Sequence, residues 1–168
     1  MDAVSLNPSA FETQEQERVL QQFLAVRAVS ERLCGPLEKE DYLLQATAST
    51  SPAKWHLAHT SWFFETFLLK PFYVGYPVYH PKFEILFNSY YNGIGEQYSR
   101  EQRSLLSRPT VDEVYAYRAH VNDAMQGLLD SPPAKCEQEI RQRVILGCHH
   151  EQHDHDVASA YEPWNSQA

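Results

Sequence analysis

Residues 51–65 read SPAKWHLAHTSWFFE. Ser51 followed by Pro52 is a helix-start signal: a hydroxyl able to cap, then a proline at the first helical position, where no amide donor is missed. From there Trp55, His59, Trp62, Phe63 and Thr66 recur at helical spacing and share one face. A face with two tryptophans and a phenylalanine is built for burial. The histidine in its middle therefore needs a hydrogen-bonding neighbour in the core or a role as a ligand. The far end of the chain gives reason to consider a ligand, because His149, His150, His153, Asp154 and His155 crowd together there.

Working outward, the aromatic helix is predicted over Pro52–Leu69 and ends before Lys70-Pro71, since a residue preceding proline is pushed out of the helical region. Upstream, Val19, Phe23, Val26, Ser30 and Leu33 keep a helical period, which predicts a helix over Glu12–Cys34 stopped by Gly35-Pro36. Residues 38–50 are a connector with a short turn near Glu40–Leu44. Downstream, residues 71–109 hold no helical or strand period for long. They carry Pro71, Pro77, Pro81 and Pro109, three glycines and many aromatics, among them Phe72, Tyr73, Tyr76, Tyr79, Phe83, Phe87, Tyr90 and Tyr91. Rings of that number are costly to leave in water, so the segment is expected to wrap the other helices.

Thr110-Val-Asp-Glu113 is a capping box that opens a third helix. Its buried face is predicted as Val111, Val114, Tyr115, Arg118, Val121, Met125, Leu128 and Leu129, and Ser131-Pro132-Pro133 breaks it. A fourth helix runs from about Ala134 to near Ala158. The sequence thus predicts an all-α fold: a four-helix bundle with a long aromatic-rich crossover between the second and third helices. Residues 1–168 read as a single domain, with 1–10 and 159–168 poorly ordered.

Composition narrows the function classes. The formal charge of −8, with lysines and arginines scattered, disfavours a nucleic-acid or anionic-membrane partner. No apolar run approaches the roughly 18 residues of a membrane helix. Cys34, Cys136 and Cys148 are an odd number with no CxxC, and the N-terminus lacks the pattern of a signal peptide. A cytoplasmic protein with free thiols is expected.

In helical bundles, metal sites are built from inward side chains on facing helices. Two ligands on one helix must stand three or four residues apart to reach one ion. The last helix offers His149 with His153, His150 with His153, and His150 with Asp154. A third ligand must come from another helix, and His59 is the candidate. His56 is three residues earlier and turned about 60° away, so it ranks lower. Three histidines, or two with a carboxylate, would suit iron(II) or zinc with positions left open. The competing explanation is a solvated helix end that happens to be rich in histidine. His80 and His120 are isolated and read as ordinary. No phosphate loop, GxSxG or HExxH occurs, and His150-Glu-Gln-His153 misses the last by one residue.

Four stretches in order, SPAKWHLAHTSWFFETFLL, FEILFNSYYNGIG, LLSRPTVDEVYAYRAHV and LGCHHEQ, resemble the N-terminal DinB-like domain of ergothioneine-biosynthesis sulfoxide synthases, relatives of the ovothiol and selenoneine synthases. The resemblance covers about residues 15–152. It implies a four-helix bundle and a non-haem iron site of three histidines, one from the WHLAH helix and two from the HEQ helix. Carried over by residue, these are His59, His150 and a third position where this chain has Asp154; His153 matches instead if one residue has been lost.

The resemblance implies O₂-dependent C–S bond formation between a small-molecule thiol and Nα-trimethylhistidine, a histidine betaine. It also implies a second, sulfatase-modifying-factor-like domain that shapes the substrate pocket. After Gln152 the likeness stops, so the expectation is a truncated or partner-requiring form, the second domain coming from a separate chain. Alternatives are a stand-alone DinB-like metal-dependent thiol transferase and a non-catalytic metal-binding remnant. Catalytic and substrate-binding residues are not assigned.

Overall fold

The structure is a computed structural model that describes the backbone of residues 8–89 and 95–159, with side chains described for 14–89 and 95–155. The expectations placed on residues 1–7, on Tyr90 and Tyr91 and on 160–168 lie outside the described residues. Among the described residues the chain is all-helical and has no strand. Four long helices carry the architecture: α1 (Pro8–Cys34), α2 (Ala53–Phe64), α3 (Val111–Asp130) and α4 (Glu137–Ser159). Helix α1 lies along α4, while α2 packs against both α3 and α4. The expected four-helix bundle with its long crossover is the fold observed.

Helix α1 begins at Pro8, earlier than the hydrophobic period indicated. Proline is pre-set for a first helical turn, so the start needs no apolar residue. Its buried side includes Val19, Phe23, Val26, Ser30 and Cys34, with Arg27 buried beside them.

Helix α2 starts differently from the prediction. Pro52 is the cap, with φ −63° and ψ 152°, and no side chain caps the helix. The Pro52 carbonyl accepts the Trp55 and His56 amides at 2.9 and 3.2 Å. Ser51 Oγ instead accepts from Arg103 Nη1 at 2.7 Å. Every residue from Leu57 to Phe64 is buried, as are Lys54 and Trp55, so α2 is the central element rather than an amphipathic face.

Nor does the helix stop before Lys70-Pro71. It passes through a π-helical turn, Glu65–Leu69, and a last α turn, Lys70–Phe72. Pro71 has no amide to give the Phe67 carbonyl. Arg143 Nη1 of α4 takes that place at 2.9 Å, which removes the cost of the missing bond.

The crossover wraps the bundle and contains short helices at Phe83–Leu86 and Arg100–Leu105, the latter 3₁₀. Phe83 and Phe87 are buried against Tyr117. Glu65, buried in the π turn, ties the segment down: it accepts from Tyr76 Oη and Tyr117 Oη, each at 2.7 Å, and from the Tyr79 amide at 3.3 Å. Lys54 Nζ holds the other end through the Leu106 and Pro109 carbonyls at 2.6 and 2.8 Å.

Helix α3 carries the predicted capping box, with Thr110 Oγ1 accepting the Glu113 amide and Glu113 returning the bond. Tyr117, which the period did not select, joins its buried face, while Val111 and Tyr115 sit at the edge. Helix α4 starts after a turn at Glu137 rather than Ala134.

Candidate metal centre

The centre forms where α2 meets α4, and the meeting depends on Gly147. A Cβ at that position would lie 2.6 Å from Phe64 Cε1 and 2.9 Å from Phe63 Cε1. Only a glycine lets α4 approach the aromatic ridge of α2 so closely. One turn further along α4, His150 faces His59.

Helical spacing and burial together place the donors. His59 is 4 % exposed and is held between rings, stacked on Trp55 at 4.5 Å and on Trp62 at 5.5 Å between centroids. Its Nδ1 lies 2.6 Å from the Phe87 carbonyl, an acceptor. The proton therefore sits on Nδ1 and leaves the Nε2 lone pair free. That lone pair points at His150 Nε2, 3.2 Å away. Phe63 stacks on His150 at 5.0 Å and keeps that ring in place. Asp154, one turn beyond, completes a group: ligand atoms of His59, His150 and Asp154 all lie within 4.8 Å of one another.

Charge and desolvation agree with a cation site. Burial, with His150 adding to it, pushes the His59 imidazole down to about 3. Burial also lowers His150. Both rings are thus neutral near pH 7, the form that ligates metal. Burial alone would raise the Asp154 carboxyl, but His56 and the two other imidazoles outweigh it and hold it below its ordinary value. One buried anion beside two neutral imidazoles leaves a local negative charge. His150 Nδ1, on the ring's other side, and Asp154 Oδ2, which stands 3.2 Å from His56 Nδ1, are buried without a hydrogen bond. Two nitrogens about 2.1 Å from one ion stand roughly 3.0–3.4 Å apart, and the observed 3.2 Å falls in that range. The donor set fits a divalent metal.

The remaining histidines divide clearly. His149 and His153 are exposed on α4, outside the group, so the pair His149 with His153 and the pair His150 with His153 are not brought together. A helix turns about 100° per residue, and that rotation carries His153 away while Asp154 stays on the His150 face. His155 Nε2 lies 2.7 Å from Ser30 Oγ of α1. His120 contacts the Pro77 carbonyl at 2.9 Å, and His80 Nδ1 accepts the Lys82 amide at 3.2 Å. His56, ranked low from sequence, lies 3.2 Å from Asp154 Oδ2.

Sequence reasoning missed the support beneath the centre. Glu151, wholly buried, receives Arg27 Nη1 at 3.0 Å, Arg118 Nη2 at 3.1 Å and the Ser30 hydroxyl. Arg27 also donates to Asn122 Oδ1 at 2.8 Å and Ser61 Oγ at 2.7 Å, and Arg118 to the Leu57 carbonyl at 3.1 Å. The network joins all four helices next to His150. Burial alone would raise the Glu151 carboxyl, but the two guanidiniums hold it at about 2. The signal for it was present: Arg27 and Arg118 both fall on apolar stripes. A small cavity with about 30 Å³ of room for water centres lies beside the network and is lined by Cys34, His56, Thr60, Glu151, Asp154 and His155, among others.

Residues 22–156 match the family model described as the DinB superfamily. No curated protein matches the chain.

Proposed function

The chain belongs to the DinB superfamily, and on that premise we propose that it is the non-haem iron(II) domain of an ergothioneine-type sulfoxide synthase. The observation that carries the proposal is the 3.2 Å approach of His59 Nε2 to His150 Nε2, with Asp154 completing the group. Two histidines and a carboxylate are a donor set that holds iron(II) with positions left open. The four sequence stretches that resemble the synthases supply the reaction class.

His59, His150 and Asp154 would hold the metal. Bound there, iron(II) would supply the O₂ chemistry that joins a thiol sulfur to the imidazole carbon of Nα-trimethylhistidine. In that reaction the S–H, the ring C–H and O₂ become a C–S(=O) linkage and water. The chain's own residues prepare the site. The Phe87 carbonyl fixes the His59 tautomer, a role typical of the outer partner of a metal-bound imidazole. Trp55, Trp62 and Phe63 immobilise the two rings and exclude water behind them. The neutral imidazoles need lose no proton before ligation. A sulfatase-modifying-factor-like domain is the complement this proposal requires, and the thiol and the histidine betaine are its substrates.

Anaerobic iron(II) titration of the parent, His59→Ala, His150→Ala, Asp154→Asn and His153→Ala tests the proposal. One-to-one binding is expected in the parent and in His153→Ala, lost in both other histidine variants and weakened in Asp154→Asn. Equal affinity in parent, His59→Ala and His150→Ala would overturn it. With the complementary domain added, sulfoxide formation from thiol, Nα-trimethylhistidine and O₂ is the expected activity.

A further inference from the structure

His56 has two unusual properties. Both of its ring nitrogens are buried without a hydrogen-bond partner. Its Nδ1 nevertheless lies 3.2 Å from Asp154 Oδ2, and both side chains are about 15 % exposed. The alignment falls short of a hydrogen bond, yet the separation is within reach of one. A buried imidazole left unpaired costs on the order of 1–3 kcal/mol, so an unpaired His56 at the centre needs a reason.

Direct ligation is not that reason. The atoms of His59, His150 and Asp154 that lie within 4.8 Å of one another form a group without His56. Helical geometry explains why. His56, three residues before His59, is turned about 60° from it on the helix and reaches the Asp154 carboxylate instead of the group. It also lines the small cavity with Asp154 and Thr60. Its T-shaped contact with Trp55, at 5.6 Å and 84°, fixes the ring from one side. A carboxylate has two oxygens and rotates about its terminal bond. With nothing to restrain it, the plane of the Asp154 carboxylate turns about that bond, and its oxygens lose a fixed aim toward His59 and His150.

We propose that His56 is the positioning residue of the centre: its Nδ1–H binds one oxygen of Asp154 and turns the other toward the metal. This rests on the metal-site reading above. When Asp154 is drawn to a cation, the 3.2 Å contact closes into an aligned hydrogen bond, and the unpaired ring nitrogen gains its partner. Ligating carboxylates are commonly held in this way, and loss of such a partner typically weakens metal binding about 10–100-fold. The pairing is particular to an aspartate at position 154, because a histidine there would offer no second oxygen to hold.

Cobalt(II) titration followed by visible absorption tests it, using the metal alone. His56→Ala and the ring-filling His56→Phe are expected to bind about 10–100-fold more weakly and to shift the ligand-field bands. His56→Asn, whose amide can place an N–H where Nδ1 stands, should restore the parent spectrum and most of the affinity. In an Asp154→Asn background, His56→Ala should have no further effect. Parent-like affinity and spectrum in both His56→Ala and His56→Phe, or an undiminished His56→Ala effect in the Asp154→Asn background, would overturn the inference while leaving the metal site standing. Failure of the parent itself to bind would overturn both. Circular dichroism of each variant distinguishes lost binding from lost fold.

Discussion

Gly147 of α4 rests against Phe64 of α2 so closely that a methyl group at 147 would sit 2.6 Å from the ring. In an exposed helix, replacing glycine by alanine stabilises by up to about 1 kcal/mol. Here the opposite sign is expected. Both neighbours are ring carbons of buried phenylalanines, so the helices must move apart, at a cost of about 1–3 kcal/mol. Urea unfolding of Gly147→Ala should show net destabilisation, and iron(II) affinity should fall with it, because His150 is one turn away. A variant more stable than the parent would contradict this account of the packing.

Glu151 sits between two buried guanidiniums, Arg27 and Arg118. Removing its charge leaves Arg27 without its buried counter-ion and Arg118 with only the half-exposed Glu31, at 3.4 Å. Glu151→Gln should cost about 3–5 kcal/mol, read from the denaturation midpoint. A loss under about 1 kcal/mol would mean that solvent reaches the guanidiniums.

The same carboxyl sets an acid limit. It is held at about 2, against an ordinary 4.5. A group with its folded value depressed contributes stability that is whole above the unfolded value and lost as pH falls through the folded one. Parent stability should therefore decline between about pH 5 and pH 2. Thermal melts across that window should show a shallower decline in Glu151→Gln, since the variant has no such group to protonate.

Glu65 anchors the crossover through Tyr76 and Tyr117. Tyr117→Phe removes a donor from a carboxylate that is 2 % exposed. A loss of about 1–3 kcal/mol is expected. Proteolysis should at the same time speed up in residues 71–89, whose attachment depends on that carboxylate. Unchanged stability and unchanged cleavage would show that water replaces the hydroxyl.

Metal should stabilise the fold, because the donors come from two helices and converge only in the folded chain. At free iron(II) about 100-fold above its dissociation constant, stabilisation of about 2.7 kcal/mol is expected. Chelator should reverse it. An unfolding midpoint indifferent to iron(II) in a protein that binds it would place the site on one helix alone.

Much of this was legible in the chain itself. The 3.6-residue recurrence of apolar residues marked α1 and α3, and Thr110 with Glu113 marked the start of α3, because capping and periodicity are local properties. His59 and the last-helix cluster were legible for a similar reason: an imidazole on an aromatic face, and ligand pairs one turn apart, are visible in spacing. The end of α2 was not. Lys70-Pro71 reads locally as a stop, and only the Arg143 donor from another helix lets the turn continue. Ser51 likewise has the form of a cap, yet Arg103 claims its hydroxyl.

The amino-acid sequence by itself determined the helical elements, the crossover and the family of the chain, since these follow from periodicity, turn chemistry and motif. Tertiary structure alone decided which groups meet. It chose Asp154 over His153 as the neighbour of His59 and His150, because helix rotation turns adjacent residues about 100° apart and only the packing of α4 on α2 says which of them is inward. It also brought Arg27, Arg118 and Glu151 together and set His56 against Asp154. Contacts between residues so distant in sequence depend on how close two helices can approach, and here Gly147 sets that distance.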